Sequence, residues 1–326
     1  MKNYSKLKKL KNLNNICLIT HLNPDADAIC STTVFRDFLI EKFNVRNVDI
    51  FSETIGSTEY IDPILDGYKL NPTPKEYDSV ILLDLGTPER AGIFQDIYLN
   101  AKFKIIIDHH IPQEVPYDIA IREEVSSTCE LIFKIFKYFK FNLSTKNKGR
   151  LYAGMMTDTG NFTVGNFNKN TLKLVSEIID DINHKAIYQQ FLNKNSKSTM
   201  NVLAVAINNI SSYDHGKIII SQISHQQSKT IKANQEDYSC ITNKLASISG
   251  NLFTAFIYPK NNEYYVSLRS KPGYNVAEIA NKRNGGGHIG ASAFRCTTSL
   301  TEVQKFLLSE FRQQLEKNSN SEPFSF

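Results

Sequence analysis

The sequence contains no tryptophan, only five cysteines and no apolar run that approaches the ~20 residues of a membrane span. The cysteines are scattered and never form a C-x-x-C pair, which argues against a disulfide framework and against a thiolate zinc site. The basic N-terminal segment leads into "ICLIT", an apolar stretch too short for a signal peptide. These absences exclude disulfide-rich secreted proteins and membrane-spanning proteins, and they predict a cytoplasmic protein in a reducing compartment.

A large excess of charge is missing as well, because 38 Lys and Arg residues face 33 Asp and Glu residues. The net charge of +5 is too small to indicate nucleic-acid binding by itself. The surplus is uneven: residues 207–326 contain thirteen Lys and Arg against nine Asp and Glu, whereas the preceding part is nearly neutral. A basic second part facing an acidic cluster in the first would suit a site that holds cations and a phosphate.

Short apolar segments alternate with helical patterns through the first part of the chain. Strands are predicted at "NNICLIT", "NVDIFS", "DSVILLDLG" and "FKIIIDHH", and the last of these is typical of a strand buried on both faces. This alternation predicts an α/β fold with a doubly wound, mainly parallel sheet. With 326 residues, the chain also has room for a second domain with its own core.

The later part of the chain has a different pattern. Residues 183–209 are polar and helical, which indicates a connector between two domains. After it, strands are predicted at "GKIIISQIS", in a hairpin around "PKNNE" and at "ASAFRC", with helices at 235–248, 275–283 and 300–316. We therefore predict an α/β domain at 1–182, the helical connector at 183–209 and a smaller α+β domain at 210–326.

Acids and histidines follow three of the predicted strands. Each of them has an ordinary alternative role, as a helix cap, a turn residue or an exposed loop histidine. Because the carboxyl ends of parallel strands meet at one edge of a sheet, we expect these side chains to lie together. The strands are followed by His21, Asp25 and Asp27, by Asp84, and by Asp108, His109 and His110, and a further acid, Asp158, follows an apolar stretch of small residues.

So many carboxylates at one edge would repel one another and raise each other's pKa. A pair of divalent cations would remove this conflict. Oxygen ligands with a minority of imidazoles and no thiolate favour Mn²⁺ over a structural zinc. Mg²⁺ is the second choice because of the histidines, and Co²⁺ is a further alternative. Two such ions, roughly 3.5–4 Å apart, would clamp the oxygens of a phosphoryl displacement.

Five motifs follow one another in the order of a known family. They are "HLNPDADA" at 21–28, the strand-end Asp84, "DHH" at 108–110, "TDTGNF" at 157–162 and "GGGH" at 285–288. In these motifs the chain resembles the DHH family of phosphoesterases that carry a C-terminal DHH-associated domain, over nearly its whole length. The resemblance is greatest to the branch that hydrolyses very short RNAs and pAp. It implies a catalytic domain at 1–182, a substrate-binding domain at 210–326 and an active site in the cleft between them.

The resemblance also implies a role for each strand-end residue. Asp84 would be shared between two metal ions, His110 would contact the scissile phosphate, and Asp108 would orient the adjacent histidine. The family pattern assigns the ligands of one ion to His21, Asp25 and Asp84, and those of the other to Asp27, Asp84, His109 and Asp158.

The smaller domain carries candidate substrate-binding residues. Arg269 in "VSLRSKPG" resembles the substrate-binding arginine of the family, with an exposed structural arginine as the alternative, and Lys271 is a weaker candidate. The glycine-rich stretch consists of Gly285, Gly286, Gly287 and His288. Together with the other motifs, it favours a phosphate-binding loop over an ordinary turn. Three positions depart from the family pattern and affect the expected base or ribose pocket: Cys30, Asn284 and Ala293.

The resemblance implies a metal-dependent phosphohydrolase that degrades very short oligoribonucleotides to mononucleotides and removes the 3′-phosphate of pAp. A phosphodiesterase for dinucleotides such as pApA and c-di-AMP is the alternative enzyme, and a non-catalytic nucleotide-binding protein is the alternative class. A pyrophosphatase would lack the "GGGH" motif, and single-strand exonucleases usually carry an additional nucleic-acid-binding domain for which this chain has no room. No membrane partner is expected, and a homodimer is left open.

Overall fold

The computed structural model describes residues 3–53, 70–110, 113–163, 167–193 and 196–318. Contacts within the chain divide it into Met1–Lys194 and Asn195–Phe326, which we call unit 1 and unit 2. No helix in the part of the chain that the structure describes combines the length and the apolarity needed to span a bilayer.

Unit 1 is built on a sheet of five strands that all run parallel. In chain order they are β1 (Asn15–Ile19), β2 (Asn47–Phe51), β3 (Ser79–Leu83), β4 (Lys104–Asp108) and β5 (Ile119–Arg122). Their order across the sheet is β2-β1-β3-β4-β5, and each neighbouring pair is parallel. The predicted parallel α/β sheet is confirmed. The strand order reverses between β1 and β3, and ligands of such sheets bind outside the carboxyl ends of the strands at this switch point.

Helices cover both faces of this sheet because its strands are apolar on both sides. In β4, Ile105 and Ile107 pack in one core and Ile106 packs in the other, since side chains alternate along a strand. The second core is closed by a 3₁₀ helix (Pro88–Phe94) and α2 (Gln95–Leu99), and the first by α1 (Ala26–Phe43), α3 (Thr128–Phe139) and α4 (Thr145–Asp158).

The sequence analysis did not predict α4. Its residues from Arg150 to Met156 are all buried, so they show no amphipathic period that would mark a helix. The remaining helices of unit 1 are α5 (Lys169–Ser176), α6 (His184–Phe191) and 3₁₀ helices at Asn3–Leu10 and Ile179–Asp181.

Unit 2 contains a mixed sheet of six strands. They are β6 (Ile210–Tyr213), β7 (Ile218–Gln222), β8 (Phe253–Lys260), β9 (Glu263–Ser270), β10 (Gly286–His288) and β11 (Ala291–Cys296), in the order β10-β11-β9-β8-β7-β6. Strands β7 and β8 pair in parallel, and the other neighbours pair antiparallel. The hairpin predicted around "PKNNE" is formed by β8 and β9. The predicted second α+β domain is confirmed in its class.

Helices pack on both faces of this second sheet. One core contains α10 (Val276–Asn281) and α11 (Leu300–Asn318), and the other contains α7 (Lys197–Asn208) and α9 (Ile241–Ala246). The sequence analysis missed β6 and α8 (His225–Ile231), and the helix predicted at 235–248 is a 3₁₀ helix (Gln235–Tyr238) followed by α9. The stretch predicted as a connector contributes α6 to unit 1 and α7 to unit 2.

Candidate active site

Asp84 lies at the carboxyl edge of the unit 1 sheet, directly after β3. Its φ of 61° is in the left-handed region, which few residues other than glycine adopt. Its N–H still donates to the carbonyl of Ile107 at 3.1 Å, so the backbone keeps its place beside β4 while the chain turns away. The residue is 2% exposed. The carboxylate is therefore held inside the protein by an unusual backbone turn.

One group of candidate ligands lies near Oδ2 of Asp84. His21 Nε2 lies 3.7 Å from Asp84 Oδ2 and 3.9 Å from Asp25 Oδ1, and the three ligand atoms lie within 4.8 Å of one another. His21 Nδ1 contacts the carbonyl of Leu22 at 3.0 Å, which leaves Nε2 directed at the carboxylates. Asp25 is also the N-cap of α1, where it accepts a hydrogen bond from the N–H of Ala28.

A second group lies near Oδ1 of Asp84. His109 Nε2 lies 3.3 Å from Asp158 Oδ2 and 3.5 Å from Asp84 Oδ1. Ligand atoms of Asp27, His109 and Asp158 lie within 4.8 Å of one another, and so do those of Asp84, His109 and His110. His109 Nδ1 contacts the carbonyl of Val125 at 3.3 Å. The structure thus brings together the residues that the family pattern assigns to two ions, with Asp84 between the two groups.

The start of α3 supports both groups, and the sequence analysis did not identify its residues. The backbone N–H groups of Thr128 and Cys129 donate to the two oxygens of Asp27 at 2.7 and 2.9 Å. The Thr128 hydroxyl donates to Asp84 Oδ1 at 2.8 Å. A helix N-terminus favours negative charge, so α3 stabilises carboxylates that belong to distant parts of the sequence. The helix-capping pattern "SSTCE" was the only sequence signal of this support.

Gly154 on α4 is a second residue that the sequence analysis missed. A Cβ atom at this position would overlap Cys129 Sγ and lie 2.6 Å from Asp27 Oδ1. Only glycine therefore lets α4 approach α3 and the Asp27 carboxylate this closely.

Asp108 and His110 form a pair beside these groups. His110 Nδ1 lies 2.7 Å from Asp108 Oδ1, and the other oxygen of Asp108 is buried without a hydrogen-bond partner among the described residues. Although burial favours the neutral acid, the hydrogen bond from His110 and the nearby His109 lower the pKa of Asp108. Because β4 ends at Asp108, strand alternation stops there, and both imidazole rings lie near Asp84, with His110 Nδ1 3.9 Å from Asp84 Oδ1.

The buried carboxylates repel one another strongly. Burial is the main cause that raises the pKa of Asp27, Asp84 and Asp158, and neighbouring carboxylates add to it; the pKa of Asp158 is raised to about 9. Burial lowers the pKa of His21. Neutral imidazoles and clustered carboxylate oxygens are the donor set that a divalent cation needs. The residues of unit 1 therefore fit divalent metal ions.

In unit 2, two of the predicted substrate-binding residues stand in one row across the sheet. Arg269 on β9 is opposite Ala291 on β11, which is opposite His288 on β10, so their side chains point to the same face. The Arg269 side chain is held by Asn243 Oδ1 and by the carbonyl of Leu268, both at 2.8 Å. A small residue thus separates a tethered guanidinium from an exposed imidazole.

The three glycines before His288 differ in their surroundings. A Cβ at Gly285 would overlap the carbonyl of Ala293, and one at Gly287 would lie 2.6 Å from the carbonyl of Ala291. Gly287 also has a φ of 137°. These two glycines are needed by the pairing of β10 with β11, whereas Gly286 has open space around its Cα.

Comparisons with known proteins agree with this arrangement. Residues 15–158 match the DHH family, N-terminal domain, and residues 215–317 match the DHHA1 domain. The chain is similar to the probable bifunctional oligoribonuclease and PAP phosphatase NrnA of Streptococcus mutans, at 26% identity over 88% of this chain and 91% of that protein. It is also 26% identical to the bifunctional oligoribonuclease and PAP phosphatase NrnA of Bacillus subtilis, over 86% of this chain and 88% of that protein.

A solved structure is similar over the whole length. The exopolyphosphatase-related protein from Bacteroides fragilis superposes with a TM-score of 0.81 at 25% identity, and the match covers 97% of this chain and 95% of that chain.

Proposed function

The chain belongs to the DHH family of phosphoesterases, and within this family we propose that it degrades very short oligoribonucleotides to mononucleotides and dephosphorylates pAp to AMP. One observation carries the proposal: Asp84 lies beside His21 and Asp25 on one side and beside His109 on the other, in groups of side chains that could hold metal ions at the switch point of the unit 1 sheet. The names of the two bacterial relatives, which match this chain over most of their length, support the choice of substrates.

DHH phosphoesterases depend on divalent metal ions, and we assign the ligands in unit 1. We propose Mn²⁺ as the preferred ion, with Mg²⁺ and Co²⁺ as alternatives, because the donors are carboxylates with two imidazoles. When bound, such ions polarise the phosphate and supply a nucleophile at neutral pH. The proposed ligands are His21, Asp25 and Asp84 for one ion and Asp27, Asp84, His109 and Asp158 for the other.

The remaining residues of unit 1 hold these ligands and the substrate in place. The carbonyls of Leu22 and Val125 fix the ring orientation of His21 and His109, as the outer partners of metal-binding histidines do. Asp108 holds Nδ1 of His110 and so leaves Nε2 for the scissile phosphate, to which a protonated ring can donate a charge-assisted hydrogen bond.

We assign the grip on the rest of the substrate to unit 2. Arg269 and His288 present a guanidinium and an imidazole on one face of the sheet, a pair that suits a phosphate remote from the reacting one. Gly286 leaves backbone atoms open to an approaching ligand. Lys271, whose Nζ donates to the carbonyl of Ala246, is a weaker candidate.

A panel of substrates tests the proposal. Purified protein with Mn²⁺ is offered RNAs of 2 to 24 nucleotides, pAp, pApA, c-di-AMP and pyrophosphate, with the Asp84→Asn variant as the control for contaminating nucleases. We expect the fastest turnover with the shortest RNAs and measurable release of phosphate from pAp. If pApA or c-di-AMP is hydrolysed and short RNAs of other sequence are not, the dinucleotide phosphodiesterase replaces the proposed function.

A further inference from the structure

Arg90 in unit 1 stands beside the metal-binding cluster and takes no part in the functions assigned above. It follows Asp84 in the loop after β3 and lies in the 3₁₀ helix Pro88–Phe94. Its carbonyl accepts a hydrogen bond from the N–H of Leu22 at 2.7 Å, and Leu22 directly follows His21. The backbone of Arg90 is therefore fixed next to a proposed metal ligand.

Glu53 holds this loop in place without engaging the Arg90 side chain. Its carboxylate accepts the N–H of Ile93 at 2.8 Å, and its carbonyl accepts the N–H of Asn23 at 2.8 Å. Gly92 has a φ of 62°, and a Cβ there would overlap the Glu53 carboxylate. Hydrogen bonds thus join Glu53 to the segment after His21 and to the 3₁₀ helix that contains Arg90.

Arg90 is exposed, and its guanidinium makes no hydrogen bond or ion pair with a residue of 3–53, 70–110, 113–163 or 167–193. Its backbone nevertheless lies next to the cluster, because Leu22, whose N–H binds the Arg90 carbonyl, directly follows His21. A cation without an anionic partner at the edge of a phosphoesterase site is suited to bind a phosphate, whose oxygens match the fork of the guanidinium.

We propose that Arg90 binds the phosphate that undergoes reaction, and that it differs in this from Arg269, which we assign to a remote phosphate. The inference rests on the proposed phosphohydrolase function of the unit 1 site. The two arginines should then respond differently to substrate size. Loss of Arg90 should harm every phosphate ester, and loss of Arg269 should harm only substrates with a second phosphate.

Kinetics of Arg90→Ala, Arg90→Lys and a control, Arg46→Ala, test the proposal. Arg46 is exposed and precedes β2 at the opposite edge of the sheet. With both pAp and bis-p-nitrophenyl phosphate, we expect Arg90→Ala to lower kcat/KM by roughly 10- to 150-fold, the factor that corresponds to a lost charge-assisted hydrogen bond. Arg90→Lys should retain part of the activity, and Arg46→Ala should match the wild type.

Two binding measurements separate this role from others. Mn²⁺ affinity and stoichiometry, measured by calorimetry, should be unchanged in Arg90→Ala, whereas inorganic phosphate should bind the Mn²⁺-loaded variant at least ten times more weakly. The proposal is wrong if both substrates and phosphate are unaffected, or if Mn²⁺ affinity falls, because Arg90 would then support His21 instead. If the wild type hydrolyses the generic ester but neither pAp nor short RNA, the proposed substrates are wrong, while the ester and phosphate measurements still decide the role of Arg90.

Discussion

The central carboxylates of unit 1 and the glycine-rich strand β10 of unit 2 lie in opposite environments. Asp27 and Asp84 are 0% and 2% exposed, and this burial, with repulsion from neighbouring carboxylates added to it, raises their pKa. In unit 2, Gly286 to His288 are exposed. Burying like charges destabilises a fold unless cations compensate, whereas exposed polar groups are readily tolerated. Unit 1 therefore has the features of a preformed cation site, and β10 of unit 2 has those of an accessible surface, to which we assign the anionic substrate only as a proposal.

The two units also differ in the hydrogen bonds that orient their candidate side chains. In unit 1, His21, His109 and Asp27 each make a second contact that fixes the direction of the ligand atom. In unit 2, Arg269 is tethered by Asn243 and Leu268, but His288 makes no side-chain hydrogen bond with another described residue. We expect substitutions in unit 1 to act on metal binding and all turnover, and substitutions in unit 2 to act on selected substrates.

Asp84→Asn should have the largest effect. Asp84 is the one proposed ligand that both groups share, so its loss should abolish turnover while the fold, measured by circular dichroism, is retained. The matched control is Asp78→Asn at the other end of β3, where the carboxylate accepts the N–H groups of Asn14 and Asn15. Activity above about a tenth of the wild type in folded Asp84→Asn would contradict a shared two-metal ligand.

Gly154→Ala should come next. The added methyl group would press on Cys129 and on the Asp27 carboxylate, so we expect Mn²⁺ affinity to fall about 10- to 100-fold and the protein to lose about 1–3 kcal/mol of stability. Gly149→Ala on the same helix is the control, because its Cβ would make only an ordinary 3.5 Å contact with Ile187. Equal Mn²⁺ affinity in the two variants would show that α4 does not position Asp27.

Arg269→Ala should weaken turnover of nucleotide substrates by roughly 10- to 150-fold in kcat/KM, because a charge-assisted bond to the remote phosphate is lost. Metal content should not change, and bis-p-nitrophenyl phosphate, which has no second phosphate, should be affected much less. Arg312→Ala, which breaks an exposed ion pair with Asp214, is the control. Equal damage to both substrates would place Arg269 at the reacting centre or in folding.

A preference for short RNA should follow because the proposed phosphate-binding surface of unit 2 is small. Arg269 and His288 lie in a single row of the sheet, which can serve few phosphates. Nucleotides beyond a handful should therefore add an entropy cost of ordering without contacts that compensate for it. We expect the rate per 3′ or 5′ end to be higher for a trimer than for a 24-mer. Equal rates would indicate a general exonuclease and a longer binding track.

The smallest expected effect concerns the stability of unit 1 without metal. When folding raises the pKa of an acid, the folded protein loses stability as pH rises from the ordinary pKa to the raised one. For Asp158 this range runs from about 4 to about 9. The metal-free protein should therefore unfold at a lower temperature at pH 8 than at pH 5, and Mn²⁺ should remove the difference. In unit 2, hydrogen bonds outweigh the burial of Asp237 and lower its pKa. The unfolding temperature of unit 2 should therefore not change between pH 5 and pH 8. A metal-free Tm that does not fall with pH would contradict the electrostatic account of unit 1.

Much of the site could be predicted from the sequence. Most of the acids and histidines follow apolar strand segments, and parallel strands place such residues at one edge, so their meeting follows from the strand pattern. Asp158 is the exception, because it ends α4 and reaches the site through helix packing. The family predicted from five motifs is confirmed by matches to both domains. Two elements carry no signal in the sequence: α4 has no amphipathic period, and β10 lies in a stretch that resembles a turn.

The sequence by itself determined which strand-end side chains would meet at the edge of the unit 1 sheet, because strand direction and apolar periodicity are local properties. The tertiary structure alone decided how they are grouped and supported. The left-handed turn at Asp84, the binding of Asp27 by backbone groups about a hundred residues away, and the row that joins Arg269 to His288 all depend on register and packing between distant segments. Such contacts leave no local pattern in the chain, since the residues that form them are ordinary until the fold brings them together.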